Sequence, residues 1–267
     1  MKGMFVKKRL ISFVSALVLA VTASVFFGGG PAQASQYYYY SGAQETVSGV
    51  TGTRVKIEIG NPWLSGYEQH SVRQLGLQGG ASLGDAVEIG VGRFNHDTAV
   101  FPTNVPRLFA YRWTNGSPGG YNDSTWIPVS NLAGYYRGMD LTPFIGNKIL
   151  FEMRLVGTTW SFRFNNVEFG RFPASNWTSP TFTSATRFTG YDEIATTRAI
   201  GVTCSDLGGA PPILATASTG YSFENILYLP GPTSGNVTPF ATDSAKWDAA
   251  LQTGLTDAFN SGGPGPC

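Results

Sequence analysis

Polar and apolar residues alternate along most of this chain. Residues 53–59 show the pattern: Val55, Ile57 and Ile59 fall on one side of an extended segment, and Arg54, Lys56 and Glu58 on the other. A period of two is that of a half-buried strand. The same alternation predicts strands over residues 70–78, 85–91, 107–113, 148–155, 159–164, 167–172, 187–196 and 222–229. Gly79-Gly80, Asn115-Gly116, Gly157 and Asn165-Asn166 punctuate them as turns. Tyr37 to Tyr40 read as the edge of one further strand. Short strands so punctuated predict an all-β fold, an antiparallel β-sandwich. One stretch differs. Trp247, Leu251, Leu255 and Phe259 recur at helical spacing behind Thr242 or Asp243 as a cap, which predicts an amphipathic helix over 241–259, with Gly254 counting against it.

The first residues follow another rule. Lys2, Lys7, Lys8 and Arg9 precede an apolar run over 10–27, and Ala32-Gln33-Ala34 then offers a small-x-small cleavage site. The expectation is a signal peptide over 1–34 and a single domain over 35–267, secreted and free of the membrane after cleavage, a retained anchor being the alternative. Only 13% of residues are charged and the net charge is +1, so no basic stripe exists to bind nucleic acid or an anionic membrane. Export makes one disulfide between Cys204 and Cys267 the simplest assignment, two free thiols being the other. With only His70 and His96 beside those cysteines, and no ligand spacing, neither a metal site nor a cofactor is expected. Gly80-Ala81-Ser82-Leu83-Gly84 matches a nucleophile elbow, but strand-like residues follow where a helix is required, so it reads as a hairpin loop.

Two acidic residues interrupt strand patterns. Glu88 sits in Val87-Glu88-Ile89-Gly90-Val91, and Glu193 in Tyr191-Asp192-Glu193-Ile194. A carboxylate in a half-buried strand is costly to desolvate and asks for a reason. Parity puts Glu88 on one face with the bare positions Gly90 and Gly92, and Glu193 on one face with Arg187, Thr189 and Tyr191. Side by side, two such faces make a two-carboxylate site on neighbouring strands, in which Tyr191, Arg187 and Gly90 are the expected substrate contacts. Ordinary surface carboxylates on the wet side of a sheet are the competing explanation.

Longer patterns then carry a resemblance. His70-Ser71-Val72-Arg73-Gln74-Leu75, Val87-Glu88-Ile89-Gly90 leading to Pro106-Arg107-Leu108-Phe109-Ala110-Tyr111, Trp126-Ile127-Pro128-Val129-Ser130, Gly170-Arg171-Phe172-Pro173 and Cys204-Ser205-Asp206-Leu207-Gly208 occur in order along the chain. In these it resembles the neprosin-type glutamic peptidases, in particular their secreted bacterial branch. The resemblance implies a concanavalin-like or jelly-roll sandwich with a central cleft, and Glu88 and Glu193 as catalytic residues. It also implies action on peptide or protein substrates, often beside proline, at acidic pH; a monomer is expected. Departures from the pattern are Val91 where a Trp is usual, Gly120 where a Cys is usual, and Asp192 where a Gly is usual. Glu168 is offset by one from an acidic position and is left out of the site.

Two other functions fit the residues. A non-catalytic sandwich would bind a polysaccharide or cell-surface ligand by stacking sugars on exposed aromatics, and a glycosidase would also use a carboxylate pair. N-terminal sequencing of protein from culture medium should read from Ser35; an intact Met1 on membrane-bound material would overturn the leader assignment.

Overall fold

Alternation becomes two antiparallel sheets. The structure, a computed structural model, describes residues 37–64, 68–80, 83–95, 105–177, 182–197, 221–242 and 248–263, all within the compact unit Ser35–Cys267. The first sheet contains, in spatial order, β14 (Thr238–Ala241), β1 (Tyr37–Val50), β11 (Ala185–Thr196), β3 (Glu68–Gly79), β4 (Asp85–Phe94), β5 (Arg107–Thr114) and β6 (Ser117–Pro118). The second runs β15 (Asp248–Leu251), β16 (Phe259–Gly262), β12 (Tyr221–Leu229), β2 (Gly52–Glu58), β8 (Lys148–Val156), β9 (Thr159–Phe164), β10 (Val167–Pro173) and β7 (Ile127–Pro128), with β13 (Thr233–Ser234) beside β12. The expected sandwich is the observed one, and each predicted strand lies within a few residues of an observed strand. The expected leader, its cleavage site, Cys204 and Cys267 lie outside the described residues.

The core forms where the inward positions of both sheets meet. Leu75, Leu77, Val87, Ile89 and Val91 of the first sheet join Val55, Ile57, Phe151, Met153, Trp160, Phe162 and Phe164 of the second in one buried cluster. Burying these apolar side chains is the main favourable term in folding. The even-numbered neighbours Glu88, Gly90 and Gly92 therefore face outward, where Val72, Phe94 and Phe109 form a separate cluster with Tyr111 and Tyr121.

A buried ion pair ties the sheets together. Arg73 on β3 and Asp192 on β11 both point inward and are 1% and 0% exposed. Their contact is bidentate, Nε to Oδ1 at 2.7 Å and Nη2 to Oδ2 at 2.8 Å. The guanidinium also donates to the Ser261 carbonyl at 2.9 Å and the Glu58 carbonyl at 3.3 Å, both on the second sheet. Tyr221 and Phe223 offer their rings to it at 5.0 and 5.2 Å, and the Ser261 hydroxyl donates to the Asp192 carboxylate.

The helix expected over 241–259 is not formed. Residues 238–241 pair with β1, and 248–251 pair with 259–262. Gly254 turns the chain between β15 and β16 at a φ of +79°, a left-handed conformation suited to glycine, and Phe259 stacks on Phe223 at 4.5 Å. Strand pairing and this aromatic contact satisfy backbone and side chains that a lone helix would leave half exposed. Residues 243–247 lie outside the described residues.

Asp192→Ala leaves the Arg73 charge buried without its partner and should lower unfolding free energy by about 3–5 kcal/mol in urea denaturation. Ser261→Ala, which removes a neutral hydroxyl within hydrogen-bond reach of Asp192 and the Ser41 carbonyl, should cost about 1 kcal/mol. Equal costs for the two variants would show that the ion pair is not the tie.

Candidate active site

Residues in register form rows across the outer face of the first sheet. Reading from β1 through β11, β3 and β4, one row is Tyr40, Glu193, Val72 and Gly92; the next is Gly42, Tyr191, Gln74 and Gly90. Then come Gln44, Thr189, Gly76 and Glu88, with Tyr111 beyond, and finally Thr46, Arg187, Gln78 and Ala86, with Trp113 beyond. Glu88 and Glu193 thus share a face, as parity predicts. They do not share neighbouring strands. β3 lies between β4 and β11, and the Tyr191–Gln74 row separates the two glutamate rows. Local patterning fixes which way a side chain points, but strand order comes from chain crossovers that alternation does not encode.

The middle row bridges the gap. The Tyr191 hydroxyl donates to Glu88 Oε1 at 3.0 Å, and the Gln74 amide donates to the Tyr191 oxygen. Bare positions permit this reach. A Cβ at Gly76 would lie 2.6 Å from Thr189 Oγ1 and 3.9 Å from Glu88 Oε1, crowding the space between them. Gly90, expected to touch substrate, has a packing role as well: a Cβ there would run into the Arg73 carbonyl and lie 2.8 Å from the Gln74 Cα. Its lack of a side chain keeps β3 and β4 together and leaves the floor beside Glu88 clear.

The two carboxyl groups have unequal surroundings. Trp113 Nε1 donates to Glu88 Oε2 at 3.0 Å, while Tyr111 packs against the Trp113 ring at 5.8 Å. Burial pushes the Glu88 carboxyl up to about 7, the Trp113 and Tyr191 donors pull it partly back, and the charge of Glu193 adds to the rise. Glu193 Oε1 lies 2.7 Å from His70 Nε2. A carboxylate only accepts, so facing ionised Glu193 the Nε2 carries the proton. Burial, followed by the charges of the glutamates, raises the Tyr191 hydroxyl far above its usual range and keeps it a donor. Tyr40 meets Tyr191 edge-on at 5.6 Å, and Tyr121 meets His70 at 6.4 Å, so aromatic rings flank the Glu193 side of the site.

Of the expected substrate contacts, Tyr191 lies in the middle row and hydrogen-bonds Glu88, and Arg187 lies in the last row, half buried. Glu168 pairs with Arg171 on the second sheet, away from both glutamates. His70, Gln74 and Trp113 were not singled out by the sequence. The polar face of 70–78, with His70, Gln74 and Gln78 at alternating positions, was a signal for the first two. Trp113 had none, because its contact with Glu88 crosses strands. Among the described residues no group of three or more His, Cys, Asp or Glu side chains is placed to hold a metal ion.

No family model matches the chain, and no curated protein matches it in sequence. Among solved structures it is similar to SCP-B, a member of the eqolisin family of peptidases in complex with the tripeptide Ala-Ile-His. The identity is 9% and the TM-score 0.46, over 86% of this chain and 100% of that one. Scytalido-glutamic peptidase with a transition-state analogue inhibitor is similar at 9% identity and a TM-score of 0.48, with the same coverage of 86% and 100%. A family 16 endo-glucanase from Bacteroides ovatus is similar at 10% identity and a TM-score of 0.34, over 63% of this chain and 70% of that one. Similarities this distant, shared by peptidases and a glucanase, leave the chemistry to be read from the side chains.

A carboxyl held near 7 in the folded chain and at about 4.5 when unfolded keeps its proton longer in the folded state. The folded state therefore loses stability as pH rises from about 4.5 through 7, by up to about 3 kcal/mol from this group. Urea unfolding at pH 5 and pH 8 should show that loss in the wild type and a smaller one in Glu88→Gln. The same pH dependence in both proteins would contradict the buried, protonated Glu88.

Proposed function

We propose that this chain is a secreted glutamic endopeptidase of the neprosin type, acting as a monomer. The observation that carries the reading is the unequal pair: Glu88 buried among donors and held protonated to about 7, and Glu193 against His70, on one outer face. Unequal environments of this kind are how one site keeps an acid and a base at the same pH.

The steps follow from the hydrogen bonds. Trp113 N–H donates to Glu88 Oε2 and the Tyr191 hydroxyl to Oε1, so both carboxyl oxygens accept a hydrogen bond and one of them also carries the acid proton. Glu193, oriented by His70, takes a proton from a water as that water attacks the scissile carbonyl carbon. Glu88 hydrogen-bonds the carbonyl oxygen as negative charge develops there, with the Tyr191 hydroxyl beside it. Its proton then passes to the leaving nitrogen as the C–N bond breaks. Proton return from Glu193 to Glu88 restores the starting state. In this scheme the rate falls as pH rises through about 7, where Glu88 loses the proton it must donate.

A binding-only sandwich is the second reading, and one observation favours it: Tyr37 and Tyr38 are 41% and 40% exposed, and Tyr38 stacks on Tyr40. Such a platform suits sugar rings. A polysaccharide pull-down separates the two.

Digestion of a peptide library at pH 5 should yield cleavage by the wild type, unaffected by a chelator. Glu88→Gln and Glu193→Gln should each lower kcat/KM by at least about 100-fold, the scale of one acid or base in a unit that acts together. Wild-type rates in both Gln variants, or glycan binding with no cleavage of any peptide, would refute the assignment.

A further inference from the structure

We propose that Arg187 forms a carboxylate-binding subsite at one end of the cleft, so that preferred substrates carry a negative group several residues from the scissile bond. The proposal rests on the peptidase reading and adds to it a substrate class.

Arginine partnership is the first observation. Among the described residues every other arginine has an ion pair, a hydrogen bond or an aromatic ring facing its guanidinium: Arg54, Arg154 and Arg163 meet Glu152, Arg73 meets Asp192, Arg112 meets Asp123 and Arg171 meets Glu168. Arg93 and Arg107 donate to backbone carbonyls, and Arg137 lies over Trp126. Arg187, half buried, has no such partner within the described residues. A partly desolvated guanidinium keeps a forked set of donors that matches a carboxylate.

The second observation is where it points. Arg187 shares its strand face with Thr189, Tyr191 and Glu193, so it belongs to the catalytic face and not to the core. Its surroundings form a hollow of about 280 Å³ lined by Gln44, Glu45, Thr46, Asn236 and Thr238. Gln44 and Thr46 share the outward parity and supply amide and hydroxyl groups. Glu45 has the opposite parity, and its carboxylate accepts from the Tyr228 hydroxyl and the Asn236 backbone N–H, each at 2.7 Å. The one acidic lining residue is therefore already engaged by two donors, leaving the guanidinium to attract an anion from outside.

Spacing sets the position. Arg187 is four residues along β11 from Tyr191, roughly 13 Å at strand rise, and the Tyr191–Gln74 row lies between the two glutamates. An extended peptide advances about 3.3–3.6 Å per residue, so the negative group sits about four residues from the bond cleaved. Either an acidic side chain or a C-terminal carboxylate supplies that chemistry.

Matched fluorogenic peptides test this. One pair carries Glu or Gln at successive positions out to five residues on either side of the cleavage site; a second pair ends in a free carboxylate or an amide. Wild-type protein should favour the acidic member by about five- to tenfold in KM. Arg187→Gln should erase the difference, Arg187→Lys should retain part of it, and Arg187→Glu should invert it toward Lys-bearing peptides. The first pair responding alone identifies a side chain as the ligand, and the second alone a chain end. Cleavage without any acidic preference, or a preference that survives Arg187→Gln, overturns the subsite while leaving the peptidase reading intact. If no peptide is cleaved, the peptidase reading falls and binding decides. Tighter binding of the labelled acidic peptides by the wild type than by Arg187→Gln would then sustain the subsite, and equal binding would overturn it.

Discussion

Arg73 and Asp192 place opposite charges where water does not reach, and the positions of the functional side chains follow from that pair. Desolvating two ions is expensive, and their attraction repays it only when the geometry is good and the remaining donors and acceptors are satisfied. Here the contact is bidentate, two carbonyls of the second sheet take up further guanidinium donors, and Ser261 donates to the carboxylate. Strand parity does the rest. With Asp192 fixed inward, Tyr191 and Glu193 must face outward; with Arg73 fixed inward, so must Val72 and Gln74. A one-residue slip of β11 would drive Glu193 into the core and expose Asp192. The resemblance marks Asp192 as a departure from a usual glycine, and the structure gives the departure a use.

The same sheet that holds the carboxylates apart makes them different. Glu88 stands on β4 next to the aromatic strand β5, and so receives Trp113 and the shelter of Tyr111. Glu193 stands on β11 and meets His70 from β3. Apolar cover disfavours charge on the first, while the second keeps a polar partner. Tyr191 and Gln74, in the row between, attach to the Glu88 side through a chain of hydrogen bonds.

The strands were legible because their hydrophobic period is local. Residues 159–164, read from alternation around Trp160, Phe162 and Phe164, are strand at those same bounds. Outward placement of Glu88 and Glu193 was legible for the same reason. The helix over 241–259 failed because Leu251 and Phe259, eight residues apart, fit a helical face and a pair of facing strand positions equally well, and Leu251 in fact pairs with Phe259 across β15 and β16. The neighbouring-strand expectation failed at another level. Insertion of β11 between β1 and β3 depends on a crossover of more than 100 residues, to which no window of sequence is sensitive.

That insertion is also what gives Glu88 and Glu193 different partners. Were β11 to lie directly beside β4, Glu88 and Glu193 would face a common neighbourhood and share the same partners. With β3 interposed, each glutamate takes its partners from a different flank of the sheet, and the asymmetry is fixed by packing before any substrate arrives. The cost is distance, which the long side chains of Glu88, Tyr191 and Gln74 span across the bare position of Gly76. A methyl group at residue 76 would press on Thr189 and narrow the gap that Tyr191 crosses to reach Glu88, so a position without a side chain governs a contact made by its neighbours.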